Sequence, residues 1–152
     1  MFFNAQILIE VLLASALMVT MSKERAALQL YEASIRDPLS SLYNRRFLED
    51  RKAAWQRGDR STGRSRALIY FDIDHFKRIN DRLGHAIGDQ VIVLAARVAE
   101  DSLRKKDWVF RLGGDEFLCV LPDVDHAGAV EAAERLRAAF EQAARTVGDE
   151  PV

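Results

Sequence analysis

Two apolar runs, residues 108–112 and 117–121, flank the step Gly113-Gly114-Asp115-Glu116. No other feature constrains the chain as much. Aromatic and β-branched residues on both sides of a Gly-Gly step read as two strands of a hairpin. Glycines have no Cβ, so the turn can fold tightly and a backbone or a phosphate can come close. An antiparallel pair follows, and the rest of the chain has to cover it.

The covering pieces are legible from periodicity. Residues 44–56 read as a helix, and residues 58–65 as a polar loop punctuated by glycine. Residues 67–73 are a β-prone apolar run that ends in carboxylates. Residues 75–83 form a short helix stopped by Gly84. Residues 89–103 form a helix with a broad apolar face of Val91, Ile92, Leu94, Ala95 and Val98. Residues 128–147 form an amphipathic helix with Val130, Ala133, Leu136, Phe140, Ala143 and Val147 on one side. The order helix, strand, helix, helix, strand, strand, helix predicts an α/β sandwich of the ferredoxin-like kind, with its last strand not visible.

The chain of 152 residues, 49% of them apolar, suffices for one domain and an appendage. A net charge of −1 gives no general case for nucleic-acid binding. The single Cys119 excludes an internal disulfide, and its apolar neighbours predict a buried, inert thiol. No zinc-ligand spacing is present.

Residues 2–21 are strongly apolar, and as a helix they would reach about 30 Å, the thickness of a bilayer core. Asn4, Gln6 and Glu10 weaken that reading, since a carboxylate at mid-membrane costs roughly 2.5–3.5 kcal/mol on insertion scales. A signal peptide fits worse, because no positive charge precedes the run. Lys23, Arg25 and Arg36 follow it and would set the C-terminal side in the cytoplasm, with the helix as an inner-membrane anchor. A buried or dimerising helix satisfies the same composition. Over residues 21–36, Met21, Leu28 and Ile35 recur at heptad spacing with Tyr31 between the last two, as in a short coiled-coil seam or an amphipathic helix packed on its own domain. Pro38 disfavours helical geometry at Asp37. The expected divisions are 1–21, 22–36 and 37–152.

Asp72 and Asp74 close the strand over residues 67–73, and positions i and i+2 of a strand share a face. If that strand neighbours the hairpin, Asp72 and Asp115 can meet at one sheet edge. At about 4 Å and an effective dielectric of about 20, two carboxylates repel by about 4 kcal/mol. A bound Mg²⁺ removes that repulsion and takes oxygen ligands of this type. Metal, carboxylates and a Gly-rich turn together suggest phosphoryl transfer. The bland reading is a strand end and an ordinary turn.

Four blocks resemble the GGDEF family of diguanylate cyclases. They are Asp37-Pro38-Leu39-Ser40-Ser41-Leu42-Tyr43-Asn44-Arg45-Arg46, Phe71-Asp72-Ile73-Asp74-His75-Phe76-Lys77-Arg78-Ile79-Asn80-Asp81, Gly84-His85-Ala86-Ile87-Gly88-Asp89 and Arg111-Leu112-Gly113-Gly114-Asp115-Glu116-Phe117. The resemblance covers roughly residues 37–147 and implies the cyclase-palm form of the sandwich. It implies an enzyme that joins two GTP into cyclic di-GMP across a homodimer. Asp72, the carbonyl of Ile73 and Asp115 are then the ligands of Mg²⁺ or Mn²⁺. Asp115 is the base, with Glu116 in support. Lys77 holds phosphate, and Phe76, Gly113 and Gly114 line the substrate. Asn80 and Asp89 read guanine through the donors and acceptors of its edge. The bland readings are a solvated Lys77 and an N-cap at Asp89. Arg104 and Asp107 sit at the offset of the family's product-binding inhibitory site; a basic helix end complementing its dipole is the alternative.

Two departures stand out. The family's Leu-Thr-Gly-Leu is Leu39-Ser40-Ser41-Leu42 here. The family also continues with a further strand, a hairpin and a helix, whereas this chain stops at Val152. The expectation is a fragment of a longer membrane receptor whose strand over residues 67–73 is an open edge. A silent module that binds cyclic di-GMP through Arg104 and Asp107 is the competing function, and a ligand-free membrane dimerisation segment is a third.

Overall fold

Side chains alternate from Ala67 onward along the first long strand. Leu68, Tyr70 and Asp72 are exposed, while Ile69 and Phe71 turn toward the core. That period of two makes the segment a sheet member with one dry face. The computed structural model describes residues 2–62 and 65–145. Its elements are α1 (Phe2–Ile35), β1 (Tyr43–Asn44), α2 (Arg45–Thr62), β2 (Arg66–Asp72), α3 (Phe76–Leu83), α4 (His85–Ser102), β3 (Trp108–Gly113), β4 (Glu116–Pro122) and α5 (His126–Ala144). The chain divides into two compact units, Met1–Ser34 and Ile35–Val152.

The first unit is a single helix, which merges the two segments expected at residues 2–21 and 22–36. Its side chains from residue 5 to residue 33 are exposed. It is long and apolar enough to cross a membrane by length and composition. Ser15 and Thr20 donate their hydroxyls to the carbonyls of Leu12 and Ala16 within the helix.

The second unit is a four-stranded mixed sheet in the order β1-β3-β4-β2. β3 and β4 form the expected hairpin, and β4 pairs antiparallel with β2. Among the described residues β2 is an edge strand, as anticipated. One face carries α4 and α5: Val91, Ile92, Ala95, Ala99 and Leu136 pack on Val109, Phe117, Cys119 and Leu121. The rings of Phe71 and Phe117 stack at 5.0 Å, which ties β2 to β4 across that face. The other face carries α2, with Phe47 and Trp55 against Trp108, Phe110, Leu118 and Val120.

Four details differ from the sequence reading. β1 is a two-residue strand parallel to β3, too short to leave a periodic signal. α2 runs through Gly58 to Thr62 instead of ending at Gln56. A helical glycine costs about 1 kcal/mol, which the rest of the helix outweighs. α4 begins at His85, not Asp89. α5 begins at His126, capped by Asp125, whose carboxylate accepts from the Gly128 amide at 2.8 Å.

Candidate functional site

The β2–β4 ladder sets Asp72 directly opposite Glu116. Directly opposed residues share a sheet face, and both lie on the exposed side. The sequence reading paired Asp72 with Asp115. In the ladder the direct partner of Asp72 is Glu116, and Asp115 precedes it in the turn between β3 and β4. β2 also ends at Asp72. Asp74 therefore lies in the following turn, and the shared-face argument does not extend to it. Ile73 between them is buried, and its carbonyl accepts from the Phe76 amide at 3.2 Å. A carbonyl has two lone pairs, so that oxygen keeps one for a further partner.

The turn needs its glycines. Gly113 has φ 147° and Gly114 φ 55°, in the region that L side chains avoid. No atom lies within 4 Å of where a Cβ would sit on either one, so the requirement is conformational and the space above them is open.

Arg111 braces this turn. Its Nε and Nη2 donate to the Gly114 carbonyl at 3.0 and 2.8 Å. Its Nη1 donates to Asp37 Oδ1 at 2.8 Å, with only 11% and 20% of the two side chains exposed. Asp37 also accepts from the Ser40 amide and hydroxyl at 2.8 and 2.7 Å. Burial alone would push the Asp37 carboxyl up, but the hydrogen bonds from Ser40 and Arg111 outweigh it and hold the group below its ordinary range. The segment after α1 is thereby pinned to the Gly-Gly turn.

Tyr70 donates its hydroxyl to Glu116 Oε1 at 2.5 Å. That bond raises the phenol's pKa most, followed by desolvation and then the charges of Glu116, Asp72 and Asp115. The three carboxylates act on one small region of the open face. Among the described residues no group of three His, Cys, Asp or Glu side chains is preassembled for a metal. The donors present are all hard oxygens. They suit Mg²⁺, which binds through one or two carboxylates and completes its shell with water and phosphate.

α3 starts from His75, at φ 59°. It meets α4 where Gly88 leaves room: a Cβ there would lie 1.9 Å from Asn80 Oδ1 and 3.4 Å from Phe76 Cζ. Asn80 and Phe76 therefore converge beside Asp89. Because α4 starts at His85, Asp89 is an exposed residue inside the helix and not its N-cap. Lys77 is exposed on the first turn of α3.

At the other end of β3, the Arg104 amide donates to Asp107 Oδ2 and the Asp107 amide to the Arg104 carbonyl, both at 2.9 Å. Among the described residues, Asp107 Oδ1 is buried without a hydrogen-bond partner. Asp107 lines a cavity of about 320 Å³ with Arg104, Lys105 and Lys106. Burial, and then the charge of Asp107, push the Cys119 thiol up to about 12, which keeps it inert as expected.

The sequence reading gave no role to Asp37, Arg111 or Tyr70. Asp37 and Arg111 stood inside the matched blocks. Their one local signal is a charge at the margin of an apolar run, and their partnership spans 74 residues.

Residues 34–151 match the family model described as diguanylate cyclase, GGDEF domain. Over 133 residues the chain is 39% identical to the diguanylate cyclase TpbB of Pseudomonas aeruginosa, covering 84% of this chain and 31% of that protein. It is 37% identical over 116 residues to the probable diguanylate cyclase DgcT of Escherichia coli, covering 76% of this chain and 25% of that protein. The chain thus spans about a quarter to a third of these relatives. The coiled coil and GGDEF domain of DgcB from Caulobacter crescentus, solved with c-di-GMP, superposes with a TM-score of 0.79 at 27% identity, over 84% of this chain and 67% of that one. SiaD of P. aeruginosa, a diguanylate cyclase solved with its activator SiaC, superposes with a TM-score of 0.75 at 38% identity, over 98% and 57%.

Proposed function

The chain belongs to the GGDEF-domain family of diguanylate cyclases, and on that premise we propose that it serves the condensation of two GTP into cyclic di-GMP and two pyrophosphates. The observation that carries the reading is the opposition of Asp72 and Glu116 beside the glycine turn held by Arg111.

In each half-reaction the 3′-hydroxyl of one GTP attacks the α-phosphorus of the other. A new P–O bond forms, the bond to pyrophosphate breaks, and the hydroxyl proton leaves. The second half-reaction closes the ring. Asp115 takes that proton, and Glu116, oriented by Tyr70, supports it. Asp72, the Ile73 carbonyl and Asp115 would hold a divalent cation, Mg²⁺ or Mn²⁺, which supplies charge neutralisation at the phosphates and a lower pKa for the attacking hydroxyl. Lys77 holds phosphate as a point charge. Asn80 and Asp89 read the guanine edge, Phe76 packs beside them, and the bare Gly113-Gly114 backbone leaves room for the triphosphate. One subunit binds one GTP, so catalysis needs a homodimer. α1 is the membrane anchor, with the GGDEF domain on the cytoplasmic side.

The test is to incubate the full chain with GTP and Mg²⁺ and measure cyclic di-GMP. We expect product from the wild type and a loss of about a thousandfold or more in Asp115→Ala, the scale on which single catalytic groups act. Absence of product from the wild type would sink the enzyme reading. The second reading, a silent module that binds cyclic di-GMP, draws on the cationic cavity at Arg104 and Asp107. It predicts tight binding of cyclic di-GMP, lost in Arg104→Ala, with no turnover.

A further inference from the structure

β2 is an edge strand among the described residues, and it carries none of the usual devices that keep such an edge from pairing. It contains no proline, glycine or lysine, its two charges sit at its two ends, and its ladder with β4 runs from Arg66 to Asp72 without a register shift. Leu68 and Tyr70 stand 64% and 58% exposed on one face. On the other face Ile69 and Phe71 border a cavity of about 1270 Å³, which Ile79 of α3 and Leu136 and Phe140 of α5 also line. A strand laid against β2 would satisfy its outward backbone groups and cover apolar surface on both sides.

The order of side chains within β2 selects that strand. Arg66 opens it and Asp72 closes it, with Ile69 at the midpoint. Laid antiparallel on a second β2 about Ile69, it sets Arg66 opposite the partner's Asp72 and Asp72 opposite the partner's Arg66. Leu68 then meets the partner's Tyr70, and Ala67 meets the partner's Phe71. Directly opposed residues share a face, and opposite charges and pairs with an aromatic ring are the favourable cross-strand partners. A parallel arrangement in register would set like charges side by side. Sliding the antiparallel register by two residues sets a charge against Leu68 or Tyr70 instead. The alignment centred on Ile69 matches the charges at both ends, and it has the two-fold symmetry of a closed homodimer. Arg66 is steadied at its end of the strand: Nη1 donates to the Trp55 carbonyl at 3.2 Å, and the guanidinium lies 5.3 Å from the Trp55 ring centroid.

We infer that the outward edge of β2 is a docking surface for a second copy of this chain, joined antiparallel about Ile69 so that the two sheets continue as one. The partner's Ile69 and Phe71 extend the apolar side that borders the cavity, and the partner's Leu68 and Tyr70 extend the other. On the proposed cyclase reading Asp72 is also a cation ligand, so edge pairing and cation binding draw on one carboxylate.

Sedimentation equilibrium of the detergent-solubilised full chain, paired with amide hydrogen exchange, tests this. Arg66→Asp and Asp72→Arg should each weaken self-association about tenfold, because each sets like charges opposite one another at both ends. An equimolar mixture of the two variants should regain the wild-type association, since every opposed pair is then of opposite sign. That recovery would also show both variants to be folded. Leu68→Lys, at an exposed position, should weaken association in the same direction. Amides of residues 67–71 should exchange more slowly in the wild type and in the mixture than in either charge variant alone. Unchanged association in both charge variants, or a mixture that associates no better than they do, would overturn the inference. Equal exchange at residues 67–71 in all samples would overturn it too, whether slow because another strand covers the edge or fast because nothing does. None of these readouts depends on turnover, so an inactive chain would count against the cyclase reading alone.

Discussion

The cavity before β3 and the turn after it lie at opposite ends of one six-residue strand, and they treat charge in opposite ways. At the turn, Arg111 spends its Nε and both terminal nitrogens on protein acceptors, and its partner Asp37 accepts from Ser40 as well. At the cavity, exposed cations surround a carboxylate oxygen that has no donor. The turn is complete without ligand and can position carboxylates in advance. The cavity leaves that oxygen without a donor among the described residues. A site that performs chemistry benefits from the first arrangement, because preorganised groups need not reorganise during reaction. A site that senses a ligand benefits from the second, because only a ligand that changes the balance of interactions can shift an equilibrium.

The contrast can be broken most strongly at Arg111. Arg111→Ala strands a largely buried Asp37 carboxylate and frees the Gly114 carbonyl. Unfolding by urea should show a loss of about 2–3 kcal/mol, below the range for a fully buried pair because both side chains keep some solvent contact. A loss under about 0.5 kcal/mol, typical of exposed pairs, would mean the turn is not braced. Gly113→Ala is the next test. Space is available for the Cβ, so the cost is backbone strain alone, about 1–2 kcal/mol in a chemical melt, with a drop in turnover larger than that stability loss explains.

The smallest effect sharpens the electrostatic side. The folded Asp37 carboxyl lies below its ordinary value of 3.8. The unfolded state then binds the proton more readily, so this group's stabilisation is complete above that value and fades as pH falls through the folded value. Stability of the wild type should decline on acidification below about 3.8, and Asp37→Asn should lack that component of the slope. An identical acid limb in both proteins would show that Asp37 carries no charge-dependent stabilisation. At the cavity, by contrast, Arg104→Ala should leave stability nearly unchanged in the same melts, since Arg104 is exposed.

Much of this arrangement was legible in the chain. The β3–β4 hairpin followed from β-prone runs around Gly113-Gly114, and β2 from its apolar run ending at Asp72. Gly84 marked the end of α3, and the apolar faces of α4 and α5 were periodic. Three kinds of detail escaped. β1 has two residues, too few for any period. α4 extends a full turn earlier than Asp89, because His85-Ala86-Ile87-Gly88 carries no apolar repeat. The docking of α3 at Gly88 demanded knowledge of where Asn80 lies. The role of Gly88 is spatial and not conformational, since it sits in ordinary helix.

The local chemistry of this protein was written in residue types and short spacing: the glycine turn, the carboxylates that follow it and the strand that ends in Asp72. Those properties depend on backbone freedom and side-chain pattern over a few residues. Which carboxylate opposes Asp72, which cation holds the turn and which residues line the cavity were decided by tertiary structure. Each depends on register or placement of distant segments: Asp72 with Glu116, Asp37 with Arg111, Arg36 lining the same cavity as Arg104. A shift of one residue in the β2–β4 ladder would reverse every face, and nothing within either strand alone reveals it.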